Sequence, residues 1–388
     1  MRIKQLKIEG FRSLKNVTWK PGDLNILIGP NGSGKSNLLR FLELMTVTAK
    51  GDLGKYIQSL GGMGAIVWDG QAEEISFSLI CKGAGNEPDF YELRLSRFGH
   101  GSIYGISQEV FTESGDSSEL YGFIKRERQV ARLKEGMFDA IQEIKPENIN
   151  EQETILSAIS TFYADMENLP AFKAYLSSLA VYQDIKVHQD SEIRKPSVSR
   201  LEKRVDSDGQ NLINVMHTLY TTDRDFERSI DTAMRAAFGG DYEKLVFPPA
   251  ADQLIQLRVR WKTLKREQSA ANLSDGTLRF LFLLTVLASP DPPPVIAIDE
   301  PETGLHPTML PIIAEYAVEA SLRAQVILST HSPQLLDAFT DKNPTTTVTK
   351  WQDGETVLHN LSGDDLAYWL KEYTLGTLFK SGELESMA

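Results

Sequence analysis

Leu24-Asn25-Ile26-Leu27-Ile28-Gly29-Pro30-Asn31-Gly32-Ser33-Gly34-Lys35-Ser36-Asn37-Leu38-Leu39 decides the fold of this chain. A strand-length apolar run, 23–28, enters a Gly-rich loop, and 35–47 then repeats its apolar residues at helical spacing. Successive backbone N–H groups from Gly29 to Lys35 form a concave anion nest, because glycine lets the main chain curl without a Cβ clash. The helix behind the loop turns its positive end toward the same point. Lys35 belongs on the β- and γ-phosphates of a nucleotide and Ser36 supplies a hydroxyl to Mg²⁺. Gly29, Pro30, Asn31, Gly32, Ser33, Gly34 and Asn37 line the same cradle, so ATP and Mg²⁺ are the expected cofactors.

Further segments extend this site. Val295-Ile296-Ala297-Ile298 delivers Asp299 and Glu300 to a strand's carboxyl end, where open α/β sheets place their ligands. Asp299 is expected on the metal, through water. Glu300 is expected to orient and deprotonate the attacking water, since phosphoryl transfer mainly needs positioning and charge stabilisation. Glu302 is either a third acidic group at the metal or a solvated turn residue. His331 follows a neighbouring strand, 324–329, and from that edge can hydrogen-bond the γ-phosphate or the attacking water. Lys35, Glu300 and His331 are therefore the expected catalytic set. Leu273-Ser274-Asp275-Gly276-Thr277 precedes a helix, so Ser274 and Gly276 offer a second anion site, although the P-loop already serves the triphosphate. The spare donors suit a partner's γ-phosphate; the alternative is that Ser274 only caps its helix.

Alternating strands and helices predict an α/β fold with a mainly parallel core sheet covered on both faces. Segments such as Glu74-Ile75-Ser76-Phe77-Ser78-Leu79 and Tyr91-Glu92-Leu93-Arg94-Leu95 predict an antiparallel meander over 64–111. Between 119 and 180 the pattern reads as helical and polar, and 199–238 as two or more helices. The expected division is an N-terminal core part at 1–115, an inserted helical lobe at 116–250, and a C-terminal core part with tail at 251–388. With 41% hydrophobic and 24% charged residues among 388, the chain has the composition of a globular protein. No apolar run approaches the roughly 20 residues that span a bilayer. Met1-Arg2-Ile3-Lys4-Gln5-Leu6 reads as an opening strand, not an export signal. The one cysteine, Cys81, suits a reducing compartment, and the expectation is a cytoplasmic protein without membrane contact. A net charge of −12 confines any contact with DNA to a local patch. Lys125-Arg126-Glu127-Arg128 with Arg132 and Lys134, read as a helical face, and Arg258, Arg260, Lys262, Lys265 and Arg266 are two such stretches; solvated charge is the plainer reading of both.

Together these residues resemble an ABC-type P-loop ATPase of the RecF/SMC-like group, close to the ATPase part of the OLD family. Ile8-Glu9-Gly10-Phe11-Arg12-Ser13-Leu14 resembles the group's opening strand, Leu273 to Thr277 its signature, and Asp299-Glu300-Pro301-Glu302-Thr303-Gly304-Leu305-His306-Pro307 its Walker B segment and D-loop. The resemblance covers 1–110 and 250–340. It implies a homodimer, or a higher even-numbered oligomer, in which the P-loop of one copy and Ser274 and Gly276 of the other enclose each ATP, with Asn272 nearby. It also implies an Arg12 contact to nucleotide, with a surface ion pair as the alternative. The group's γ-phosphate-sensing glutamine has three candidates, Gln108, Gln183 and Gln189. Asp275 and His306 are more like the RecF/OLD side than the transporter side. Coiled-coil arms are missing, and no Asp-x-Asp pair of a TOPRIM nuclease follows residue 350. The implied role is an ATPase controlling a separately encoded effector, a nuclease or toxin, in bacterial antiphage defence. A RecF-like DNA-repair clamp and an ATP-bound inhibitory scaffold with little turnover are the alternatives.

Overall fold

The structure is a computed structural model and describes residues 1–83, 88–98, 103–112, 124–135, 140–162, 168–250, 253–361, 370 and 373–386. A six-stranded sheet forms its centre, in the order Ala180–Tyr182, Val295–Asp299, Gln325–Thr330, Leu24–Ile28, Thr345–Gln352, Glu355–Asn360. The first five strands run parallel, and the sixth turns back antiparallel at one edge. The period-two alternation of the strands divides their apolar side chains between two cores. Ile26, Ile28, Ile296, Ile298, Val326 and Leu328 face one core, shared with the helices Leu212–Thr222, Arg224–Phe238, Asp275–Leu287 and Leu310–Ser321. Leu27, Val295, Ala297 and Ile327 face the other, shared with the helix Lys35–Lys50. Each such Leu, Ile or Val side chain contributes roughly 1.5–3 kcal/mol when fully buried. Strands buried on both faces have no polar side, which is why they read as continuous apolar runs.

A second, eight-stranded antiparallel sheet covers the far side of the P-loop helix. Its order is Leu14–Trp19, Arg2–Phe11, Glu74–Lys82, Asp89–Arg97, Tyr104–Thr112, Ile124–Glu127, Val130–Glu135, Ala140–Ile144. A relay of aromatic contacts, Phe11 to Phe41 to Phe77 to Tyr91 to Phe172, ties sheet, helix Lys35–Lys50 and helix Asn168–Ser177 into one core, at centroid spacings of 5.1 to 5.8 Å.

Residues 124–144 correct the expected helical reading, because they add three strands to this meander. The reason is Arg126, which occupies an inward position of its strand and is 1% exposed. Its guanidinium donates to the carbonyls of Arg128, Asn150 and Glu153 at 2.8–2.9 Å, so a charged residue stands where the strand pattern calls for an apolar one. The stretch Lys125 to Arg132 is accordingly a strand pair and not a basic helical face, and Arg132 is paired with Glu143. Among the described residues, the α-helices of this region begin at Ile155, and Ala180–Tyr182 returns to the central sheet, inside the range read as an inserted helical lobe. The stretch 254–261 holds two strands, Leu254–Ile255 and Arg258–Trp261, which belong to different small sheets. Among the described residues, no helix is long and apolar enough to cross a membrane.

Candidate functional site

The register of the central sheet gathers the site. Asp299 lies beside Ser329, Thr330 beside Ile28, and Ile298 beside Tyr182. The residues that leave these strands therefore emerge at one carboxyl edge: Gly29, Gln183, Glu300 and His331.

The P-loop enters its helix through Gly34, whose φ of 105° favours glycine and whose missing Cβ would overlap the Thr356 hydroxyl. Lys35 is 5% exposed and folds back on the loop, its ammonium donating to the carbonyls of Gly29 at 2.7 Å and Pro30 at 3.1 Å. Burial pulls the Lys35 pKa below its usual value, while the nearby carboxylates of Glu300, Asp299 and Glu302 oppose that shift. The Ser36 hydroxyl has no hydrogen-bond partner among the described residues, whereas the Ser329 hydroxyl donates to the Asp299 carboxylate. One hydroxyl and one carboxylate suit Mg²⁺, which takes few protein ligands and completes its shell with water and phosphate. No group of three or more His, Cys, Asp or Glu gathers as a metal site among the described residues.

Glu300 sits in a turn at φ 47°, a left-handed conformation that costs a non-glycine residue about 1 kcal/mol or more. Its amide donates to the Ser329 carbonyl at 3.1 Å and lies 3.2 Å from the Ser329 hydroxyl oxygen, which locks that turn. Its carboxylate is 3.1 Å from Nδ1 of His331 and accepts from the Thr303 hydroxyl at 3.4 Å. His331 thus holds the general base expected from the sequence. Glu302 is not a solvated turn residue: its side chain is 9% exposed, and Oε1 accepts from the Thr330 hydroxyl at 2.5 Å and the His331 amide at 3.3 Å. Burial raises the Glu302 pKa, and its Oε2 is buried without a partner.

Ser274 and Asp275 are exposed at the start of the helix Asp275–Leu287. The Ser274 oxygen accepts from the Thr277 amide at 3.1 Å and lies 2.8 Å from the Thr277 hydroxyl, so the capping role is realised within one copy. A Cβ on Gly276 would stand 2.5 Å from the Gly304 carbonyl, so the signature and D-loop backbones pack directly together. The Asn272 carbonyl accepts from Gln268 at 2.8 Å. Arg12 makes no ion pair among the described residues; its backbone sits at φ 47°, its guanidinium lies 5.9 Å from the Phe11 ring centre, and burial and nearby Arg40 lower its pKa. Of the three candidate glutamines only Gln183 stands at the site's edge, with a buried Nε2 that has no partner. Gln108 is in the antiparallel sheet and Gln189 is exposed.

Sequence reasoning missed two groups. The first is the hairpin Thr345–Gln352 and Glu355–Asn360, which braces the P-loop from behind. The Thr349 hydroxyl donates to the Ile28 carbonyl at 3.0 Å and is 2.5 Å from Ser33 Oγ; Thr356 Oγ1 lies 2.9 Å from the Ser33 carbonyl oxygen and 2.7 Å from Ser13 Oγ. The Asn37 amide nitrogen donates to the same Ser13 Oγ at 2.8 Å, which places Asn37 in the brace. The threonine run 345–349 signalled only a strand. The second is Arg279 of the signature helix, whose guanidinium is half-buried; burial lowers its pKa against the opposing charges of Glu302, Asp184, Glu300 and Asp299.

A P-loop, an acidic pair and a histidine on one sheet edge, with a signature turn packed on a D-loop, are arranged as in an ABC-like ATPase head of the RecF/SMC-like kind. The family profile described as "AAA domain, putative AbiEii toxin, Type IV TA system" matches residues 24–337, and the chain belongs to that family. Among curated proteins, it is 37% identical over 49 residues to the DNA replication and repair protein RecF of Prosthecochloris aestuarii, covering 12% of this chain and 13% of that one. It is 34% identical over 105 residues to the cytochrome c biogenesis ATP-binding export protein CcmA 2 of Cupriavidus metallidurans, covering 23% of this chain and 49% of that one. The chain thus spans less than two thirds of either relative. Two solved structures share the fold. An SMC head bound to the C-winged helix domain of ScpA has a TM-score of 0.54 at 13% identity, covering 95% of this chain and all of that one. An SMC head with extended coiled coil, bound to a ScpA C-terminal domain derived from Pyrococcus furiosus, has 0.53 at 11% identity, covering 96% and 99%.

Proposed function

We propose that this protein binds and hydrolyses ATP with Mg²⁺, closes as a two-copy assembly around the nucleotide, and passes that state to a separately encoded effector. The observation that carries the reading is the convergence of Lys35, Asp299, Glu300 and His331 at one sheet edge. On ATP binding, the Lys35 ammonium turns from the loop carbonyls to the β- and γ-phosphates. Ser36 and Asp299 hold the metal, and Glu300, aimed by His331, takes the proton of the attacking water. The exposed Ser274 and the half-buried Gly276 meet the γ-phosphate of the opposite copy. An OLD-like setting in antiphage defence, in the cytoplasm, with a nuclease or toxin as effector, fits the toxin–antitoxin wording of the family description and the protein-bound state of the SMC heads. A RecF-like DNA clamp is the second reading. It is favoured by the RecF match over 49 residues alone, since Arg260, opposite Lys244 on a strand pair, is already paired with Glu267.

Steady-state turnover tests the proposal. Lys35→Ala is expected to lose ATP binding, while Glu300→Gln keeps it and turns over at least about 100-fold more slowly, the scale of a lost general base. Wild-type turnover in Glu300→Gln would contradict the assignment.

A further inference from the structure

The signature turn of an ABC-like head meets a partner's triphosphate, yet here its third residue is an acid. Asp275 is exposed between Ser274 and Gly276, where its charge would repel an incoming γ-phosphate. One residue answers that charge. Arg194 is 7% exposed and donates to the Asp275 carboxylate, and the same guanidinium donates to the carbonyls of Leu273 at 2.7 Å, Ala270 at 3.2 Å and Ala271 at 3.4 Å. Its Nε donates to the Val187 carbonyl at 2.7 Å. Arg194 also closes the segment that begins at Gln183, so one buried cation joins the strand end beside Asp299 to the backbone of the signature turn.

We infer that Arg194 is a positioning residue for the shared site. It cancels the Asp275 charge and fixes the Ala270–Leu273 backbone, so that the Ser274 hydroxyl and Gly276 amide face a partner's γ-phosphate. The planar fork of arginine suits this task, because it serves four carbonyls and a carboxylate with one charge, which a lysine ammonium cannot do. The inference rests on the two-copy reading above.

The test uses the full chain carrying Glu300→Gln, with ATP and Mg²⁺, and reads the dimer dissociation constant and the ATP affinity of dilute monomer. Arg194→Gln is expected to weaken dimerisation at least about tenfold, the scale of one charge-assisted contact, while leaving monomer ATP affinity unchanged. Adding Asp275→Asn is expected to recover most of that loss, because the charge that needed cancelling is gone. A merely structural Arg194 would show no such recovery, and that result would overturn the inference, as would unchanged dimerisation in Arg194→Gln. If Arg194→Gln does not fold, Arg194→Met serves in its place: it also removes the charge while filling the buried space, and is expected to weaken dimerisation with the same recovery by Asp275→Asn. A parent that stays monomeric in ATP would overturn the shared-site reading itself, whereas a dimerising parent indifferent to Arg194 overturns the clamp alone.

Discussion

Glu300, His331 and Glu302 form a chain in which each residue fixes the next. The sequence placed Glu300 and His331 on one edge because both follow apolar strands, but it left open what holds them. Glu302 was illegible because its role depends on Thr330 and the His331 amide, which approach only across neighbouring strands. Arg194 was illegible for the same reason: its partners lie about eighty positions away in the chain. Burial raises the Glu302 pKa above its ordinary 4.5, so the residue favours the folded state below that value and loses that contribution as pH rises through its folded value. Glu302→Gln, which keeps the acceptor oxygen, should therefore gain in melting temperature relative to wild type as pH is raised from about 4.5 to 7. Thermal unfolding across that range checks it; a difference that does not change with pH would contradict the burial argument.

At the scale of elements, every strand and helix that carries the nucleotide motifs was legible, since apolar period and Gly punctuation agree there. Among the misread elements, the strand Ile124–Glu127 was hidden by the inward Arg126. Glu109 is a second inward charge, fully buried in the strand Tyr104–Thr112, which the alternation over 64–111 did reveal. Its carboxylate accepts from the amides of Ile155 at 2.7 Å and Leu156 at 3.0 Å and from the Tyr91 hydroxyl at 3.1 Å. A residue of the sheet thus caps the helix Ile155–Phe162. Glu109→Ala leaves those donors buried and unpaired and should cost about 3 kcal/mol, read as a lowered midpoint in urea denaturation. A midpoint within error of wild type would show that another group caps the helix.

For the whole molecule, the two cores on either side of one parallel sheet explain how loops from four strands are held at one edge, with the P-loop braced by the C-terminal hairpin and the signature turn braced by Arg194. Under the two-copy proposal, that arrangement gives each copy a phosphate cradle and, elsewhere on its surface, donors for a cradle it does not own. A net charge of −12 opposes association of two copies, so closure needs the nucleotide to supply the contacts. The most direct measurement is the solution mass of the Glu300→Gln protein with and without ATP and Mg²⁺, repeated with Ser274→Arg added. The account predicts a doubled mass only with ATP and only when Ser274 is intact. A mass that ignores ATP, or a dimer that forms equally well with Ser274→Arg, would contradict it.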